Sequence, residues 1–152
     1  MLFSSLLDRS KLMRIFSQIL VCCDGSKYSE KAIRIACDMA KSYGSELTLI
    51  HVIEKTTKSN ILAGSEYTKI LRKYAKDVMQ KAQKITDQEG IKSRIITKEG
   101  NIADEIVKYS KQHNIDLIIV GSKGLGAVIK FLLGSISSKI ANHALCSVLI
   151  IK

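Results

Sequence analysis

Three glycines and a serine are spaced to hold an anion. Gly121 and Gly124 are separated by two residues, nine more lead to Gly134, and Ser135 follows at once. The segment follows Asp116-Leu117-Ile118-Ile119-Val120, the most apolar short run of the chain, and ends before a helical pattern. A buried strand, a glycine-rich loop and a helix start make a phosphate cradle: small residues let backbone N–H groups approach the anion, and the helix N-terminus adds partial positive charge. It is not a Walker loop, since no Gly-Lys-Ser/Thr follows a four-residue gap. Nor is it the dinucleotide fingerprint, because the spacing differs and the loop follows a late strand. The glycines could instead serve only as turns and Ser135 only as an N-cap. A capping hydroxyl there would point at the same amides that meet a phosphate.

A second cluster, Asp24-Gly25-Ser26, closes the first predicted strand. Asp24 is either a turn former or a ligand contact, and Ser26 is a ready helix cap. Lys123, inside the glycine loop, is either solvated or paired with a phosphate. His51 reads as a packed strand residue, and His113 and His143 as surface residues at helix ends. Cys22, Cys23, Cys37 and Cys146 contain no C-x-x-C and only three histidines exist, far apart, which argues against zinc. Cys22 and Cys23 are adjacent on a strand, so their side chains take opposite faces, as small buried groups in a reducing compartment. No catalytic set emerges. Hydrolysis of a nucleotide needs a positioned water, a base and charge stabilisation at the leaving oxygen, and Asp24 is the only acid tied to the site by motif.

Composition bounds the rest. The 152 residues, 46% hydrophobic, suffice for one domain with a sizeable core. Aromatics are only 5% and tryptophan is absent, so stacking platforms for single-stranded nucleic acid are poorly supplied. The net charge is +10, and residues 54–84 hold eight Lys/Arg against three acids, half of the excess. Lys69, Arg72, Lys73 and Lys76 share one helix face; this is a solvated basic stripe or, as the alternative, a surface for nucleic acid or another polyanion. No segment has the length of a membrane span, and residues 1–12 do not read as a signal peptide. A cytoplasmic protein is expected.

Strand and helix signals alternate. Residues 1–14 read either as an extension whose Leu2, Phe3, Leu6 and Leu7 cover an apolar patch, or as sequence ahead of a start at Met13. Ile15–Cys23 is the first strand, apolar on both faces. A helix follows to Tyr43 with a buried stripe of Ala32, Ala36, Met39 and Tyr43, ended by Gly44. Leu47–Ile53 is the second strand and 54–63 a polar loop. The second helix runs from Gly64 to Gln88 with an apolar stripe of Tyr67, Leu71, Tyr74, Val78, Ala82 and Ile85. Ile91–Thr97 is a third, edge-like strand. Asn101 caps a third helix that buries Ile102, Ile106 and Tyr109 and closes at Asn114. Asp116–Val120 is the fourth strand. The last helix starts at Ser135 and packs through Ile136, Ile140 and Ala144, and Ser147–Ile151 is the fifth strand. Right-handed crossovers then give a parallel sheet with helices on both faces, whose ligands sit at the carboxyl ends of the strands.

Taken together, these residues resemble the universal stress protein family, and within it the ATP-binding branch. Gly121, Gly124, Gly134 and Ser135 match that family's glycine signature in full. Ile19 to Ser26, His51-Val52-Ile53, Gly100 to Ile106 and Asp116 to Ser122 match in order, so the resemblance covers about residues 15–152. It implies a three-layer, Rossmann-like fold of the adenine nucleotide alpha hydrolase type, with a five-stranded parallel sheet of order 3-2-1-4-5, and a homodimer. It implies that Asp24 contacts the ribose or adenine side of ATP, with Cys22 beside it. Val52 and Val120, which on pattern alone are equally core residues, would flank adenine. Gly121, Gly124, Gly134 and Ser135 would hold ribose and phosphates, Ile136 would give a backbone N–H, and Mg2+ would ride on the phosphates. The chain departs from the family at Cys146-Ser147, where proline is common, and at Cys23, where alanine is. The expected function is an ATP-binding sensor or regulator that dimerises through Val148–Ile151. The alternatives are a slow ATP hydrolase, a binder of AMP or another nucleotide, and a nucleic-acid binder.

Overall fold

The computed structural model describes residues 15–55, 65–125 and 132–152. The expectations for residues 1–14, for most of the polar loop at 54–63 and for a helix start at Gly64 fall outside them. The described chain runs β1 (Gln18–Cys22), α1 (Lys27–Tyr43), β2 (Glu46–Glu54), α2 (Ser65–Gln88), β3 (Ser93–Gly100), α3 (Ile102–Gln112), β4 (Leu117–Gly121), α4 (Ser135–His143) and β5 (Ser147–Ile151). The sheet is all-parallel in the order β3-β2-β1-β4-β5.

The period of two along β1 distributes its side chains between two cores. Ile19, Val21 and Cys23 pack with Ala32, Ile33, Ala36 and Cys37 of α1 and Val78, Met79, Ala82 and Ile85 of α2. Leu20 and Cys22 pack on the other face with Ile106 and Tyr109 of α3 and Ile140 of α4. Adjacent Cys22 and Cys23 therefore do face opposite ways. Ile19, Leu20, Val21, Ile118 and Ile119 are fully buried, and each contributes on the order of 1.5–3 kcal/mol. The centre of the sheet is thus its most firmly held part. Asp116 fixes the register there: its Oδ2 accepts from the backbone N–H groups of Ser17 (2.7 Å) and Gln18 (2.8 Å), tying the start of β4 to the start of β1.

Some boundaries and faces differ from the sequence pattern. In α1 the buried face is Ala32, Ile33, Ala36, Cys37 and Ala40; Met39 is half-buried and Tyr43 exposed. Tyr43 sits in the last turn, beyond the sheet, where its ring meets Phe16 edge-on. Gly44 ends the helix as expected, at φ 66° with its N–H donated to Ala40 O. β3 starts two residues late because Ile91 is used in closing α2, donating its N–H to Thr86 O. The α2 stripe is buried only in its second half: Val78, Ala82 and Ile85 enter the core, with Ala75 and Met79, but Tyr67 and Tyr74 do not.

Candidate functional site

The chain winds one way from β1 through β2 to β3, and the other way to β4 and β5. A crevice must open where the direction reverses, beyond the carboxyl ends of β1 and β4. A cleft of about 690 Å³ lies there, within the range of small-ligand sites. All nine positions singled out from sequence line it: Cys22, Asp24, Val52, Val120, Gly121, Gly124, Gly134, Ser135 and Ile136.

On the β1 side the strand's pairing ends with Cys23, whose N–H donates to Ile50 O at 2.8 Å. Asp24 then turns the chain. Its Oδ1 accepts from Ser26 N (2.8 Å), and Gly25 takes φ 83°, a conformation that costs other residues dearly. Ser26 caps α1 by accepting from Ser29 N at 3.1 Å. On the β4 side, Gly121 lies against the first turn of α1: a Cβ there would fall 2.7 Å from Tyr28 Cβ. A Cβ on Gly124 would fall 2.9 Å from Asp24 Oδ2, so the loop passes directly over the carboxylate.

The two parts of the glycine segment are stitched together at Ser122. Ser122 donates its N–H to Ile151 O (2.7 Å), and its carbonyl accepts from Gly134 N (2.7 Å) and Ser137 Oγ (3.2 Å). Ser26 Oγ also reaches Lys123 O at 3.5 Å. These bonds bring the start of α4 to the cleft. The helix starts at Ser135 as expected, and its N-cap is Gly134, so the alternative of Ser135 as the cap does not hold. Ser135 is the first helical residue and is exposed, and the α4 N-terminus has no side-chain cap. A side-chain cap is absent because the N-cap residue is glycine; Ser137 donates its hydroxyl to Gly134 O at 3.0 Å. The first amides of α4 therefore face the cleft without a side-chain acceptor.

The other wall is apolar. Ile50, Val52, Ile102, Ile106, Val120 and Leu71 line it. Tyr67 and Tyr74 complete it from α2. Periodicity groups both in the apolar stripe of the helix; they are 48% and 39% exposed, because the first half of α2 stands over the cleft rather than over the sheet. The signal that groups core residues on a helix face cannot tell a core from a cleft wall. Glu54 and Ser122 also line the cleft without having stood out in the sequence, and Ile102, expected to be buried by its helix, lines it too. His51 is buried, as expected of a strand residue. Its Nδ1 lies 2.7 Å from Cys23 O and, since a carbonyl only accepts, donates that hydrogen bond.

Burial raises the Cys22 thiol well above its ordinary value, and the Asp24 carboxylate adds to the effect. Cys23 is raised by the same burial and by Asp24. Both stay neutral and serve as packing. Among the described residues no three His, Cys, Asp or Glu side chains come together to hold a metal ion, and no helix is long and apolar enough to cross a membrane.

Comparison with known proteins agrees with this geometry. The model of the Universal stress protein family matches residues 16–152. Universal stress protein YxiE of Bacillus subtilis is 30% identical over 148 residues, spanning 91% of this chain and 100% of that protein. The solved universal stress protein UspA of Lactobacillus plantarum superposes with a TM-score of 0.78 at 27% identity, over 90% of this chain and 98% of the other. Three more distant structures share the fold and hold nucleotides. One universal stress protein is in complex with cAMP (20% identity, TM-score 0.72, 91% and 98% covered). One from Archaeoglobus fulgidus is in complex with dAMP (22%, 0.66, 91% and 99%). One from Arabidopsis thaliana has AMP bound (19%, 0.65, 90% and 91%). With a family model covering nearly the whole chain, and a strand order and cleft that fit it, this protein belongs to the universal stress protein family.

Proposed function

We propose that the cleft binds an adenine nucleotide, ATP in the first instance, and that the protein works as a nucleotide-responsive regulator rather than as a dedicated enzyme. One observation carries this reading: an apolar slot and an amide-rich turn are joined end to end, with a carboxylate between them. Val52 and Val120 would flank the base, as the apolar wall suits adenine. Cys22 and Asp24, midway, face the ribose. Gly121, Gly124, Gly134, Ser135 and Ile136 surround the phosphates; the Gly134 N–H is held by Ser122 O, and the amides that follow it at the uncapped α4 N-terminus face the anion. A Cβ at Gly121, Gly124 or Gly134 would meet Tyr28, Asp24 or Ser122 atoms 2.7, 2.9 and 3.1 Å away, so a side chain at any of them displaces a neighbour or the turn. Mg2+, when bound, neutralises phosphate charge. The residues present fit it as a passenger on the phosphates, not as a protein-held ion. The nucleotides held by more distant proteins of the same fold support the class of ligand.

Residues 15–152 form one such domain in this reading, in the cytoplasm, and two copies associate through β5. That strand is the open edge of the sheet, and Val148, Leu149 and Ile150 on it are only half-buried. An apolar edge needs covering, and antiparallel pairing with a twin covers it. The basic stripe of α2 is a solvated face: Lys69 pairs with Glu66 and Arg72 with Glu99, both at 3.1 Å.

Calorimetry on the native protein with ATP and magnesium, AMP and cAMP tests the ligand, and mass spectrometry of the denatured protein identifies what copurifies. Saturable heat with at least one adenine compound is expected. No heat with any of them removes the reading. Light scattering that returns the mass of a single chain at micromolar concentration removes the dimer.

A further inference from the structure

We propose that Tyr74 is a positioning residue for Asp24, holding the end of β1 so that the carboxylate stays aimed into the cleft; this rests on the nucleotide reading above. Two successive carbonyls emerge where β1 stops pairing, and both are held from outside the turn. His51 Nδ1 donates to Cys23 O at 2.7 Å. The Tyr74 hydroxyl, reaching across from α2, donates to Asp24 O at 2.7 Å. The two rings meet edge to face at 6.0 Å and 65°, so each supports the other.

The carboxylate is fixed from its other side. Oδ1 accepts from Ser26 N, and Oδ2 is left turned toward Gly124. Asp24 is thus gripped at its carbonyl by α2 and at Oδ1 by the start of α1, and only Oδ2 faces the loop. A ring that is 39% exposed does not owe its place to burial alone. Its specific contribution is the hydroxyl. Gly25 fits the same account: a Cβ there would stand 2.8 Å from the Tyr74 hydroxyl and 3.1 Å from Val78 Cγ2. A larger residue would push the tyrosine off its acceptor. Burial and the Asp24 charge raise the Tyr74 phenol above its ordinary value, so it remains a donor at neutral pH.

Tyr74→Phe keeps the ring and removes only the hydroxyl. The test compares Kd for ATP with magnesium in the wild type, Tyr74→Phe, Asp24→Ala and the double variant, by calorimetry. A single hydrogen bond corresponds to a loss of about three- to ten-fold in Kd for Tyr74→Phe. In the Asp24→Ala background the same change leaves Kd within about two-fold, because the group being positioned is gone. Faster exchange of the Ser26 amide in ligand-free Tyr74→Phe is expected as well, since that amide is held by the carboxylate in question. Unchanged affinity in Tyr74→Phe overturns the positioning role while the nucleotide reading stands. An equal loss in both backgrounds also overturns it, since that is the mark of a general structural defect. A wild type that binds no adenine compound sinks both.

Discussion

Asp24 Oδ2 stands 2.9 Å from the point where a Cβ on Gly124 would lie. The carboxylate and the glycine come from opposite halves of the sheet, and the contact leaves no space for a side chain between them. Gly124→Val is therefore expected to displace either the carboxylate or the loop. Calorimetry should show nucleotide affinity reduced at least about ten-fold, roughly the 1.4 kcal/mol that one misplaced charged contact represents. The melting temperature should stay close to that of the wild type, since Gly124 is exposed and buries no core.

Gly121 is a different case. A Cβ there meets Tyr28 Cβ at 2.7 Å, and also the Tyr28 carbonyl carbon at 3.1 Å and Ser29 N at 3.2 Å. Two of the three are backbone atoms of α1, which cannot swing aside as a side chain can. Gly121→Ala should destabilise the fold by about 1–3 kcal/mol, the usual cost of overpacking. Urea unfolding should show a lower midpoint at unchanged slope.

Ser26 joins α1 to the site. Its hydroxyl accepts from Ser29 N and lies near Lys123 O. Ser26→Ala should cost about 1 kcal/mol through the lost cap. Chemical denaturation reads this directly, and Ser26→Asp, another good cap, should recover most of it.

Glu99 gives a pH-dependent prediction. Hydrogen bonds from Lys55 and then Arg72 hold its carboxyl below the usual 4.5. A carboxylate depressed in the folded state adds stability above its unfolded value and loses it as pH falls through the folded one. Glu99→Gln should thus be less stable than the wild type at pH 7, by under about 1 kcal/mol because the pairs are solvent-exposed. The difference should narrow as pH falls below 4.5 and through the lowered folded value, and shrink in high salt. Parallel melts at pH 7 and pH 3.5 check both.

The strands were legible because parallel strands buried on both faces leave unbroken apolar runs such as Ile19-Leu20-Val21 and Leu117 to Val120. The glycine spacing marked the turn that lines the cleft because its backbone runs too close to Tyr28, Asp24 and Ser122 to carry side chains. What sequence could not show was the use of α2. Tyr67, Leu71 and Tyr74 keep the same period as Val78, Ala82 and Ile85, yet the first three face a cleft and the last three a core. Only the sheet's edge decides where one becomes the other. The helix start at Ser135 was legible as well, and only the alternative of Ser135 as its N-cap fails, because Gly134 holds that position.

The contact between Ser26 and Lys123 spans 97 positions, and the clamp of Asp116 on Ser17 spans 99. On a ribosome, where the amino-terminal half emerges first, β1, β2 and β3 can associate early, but their neighbour β4 arrives late. Until it does, one margin of β1 stays bare and the crevice has a single wall. Ligand can therefore reward only the finished product: it can reinforce a completed molecule by mass action, but cannot seed an unfinished one.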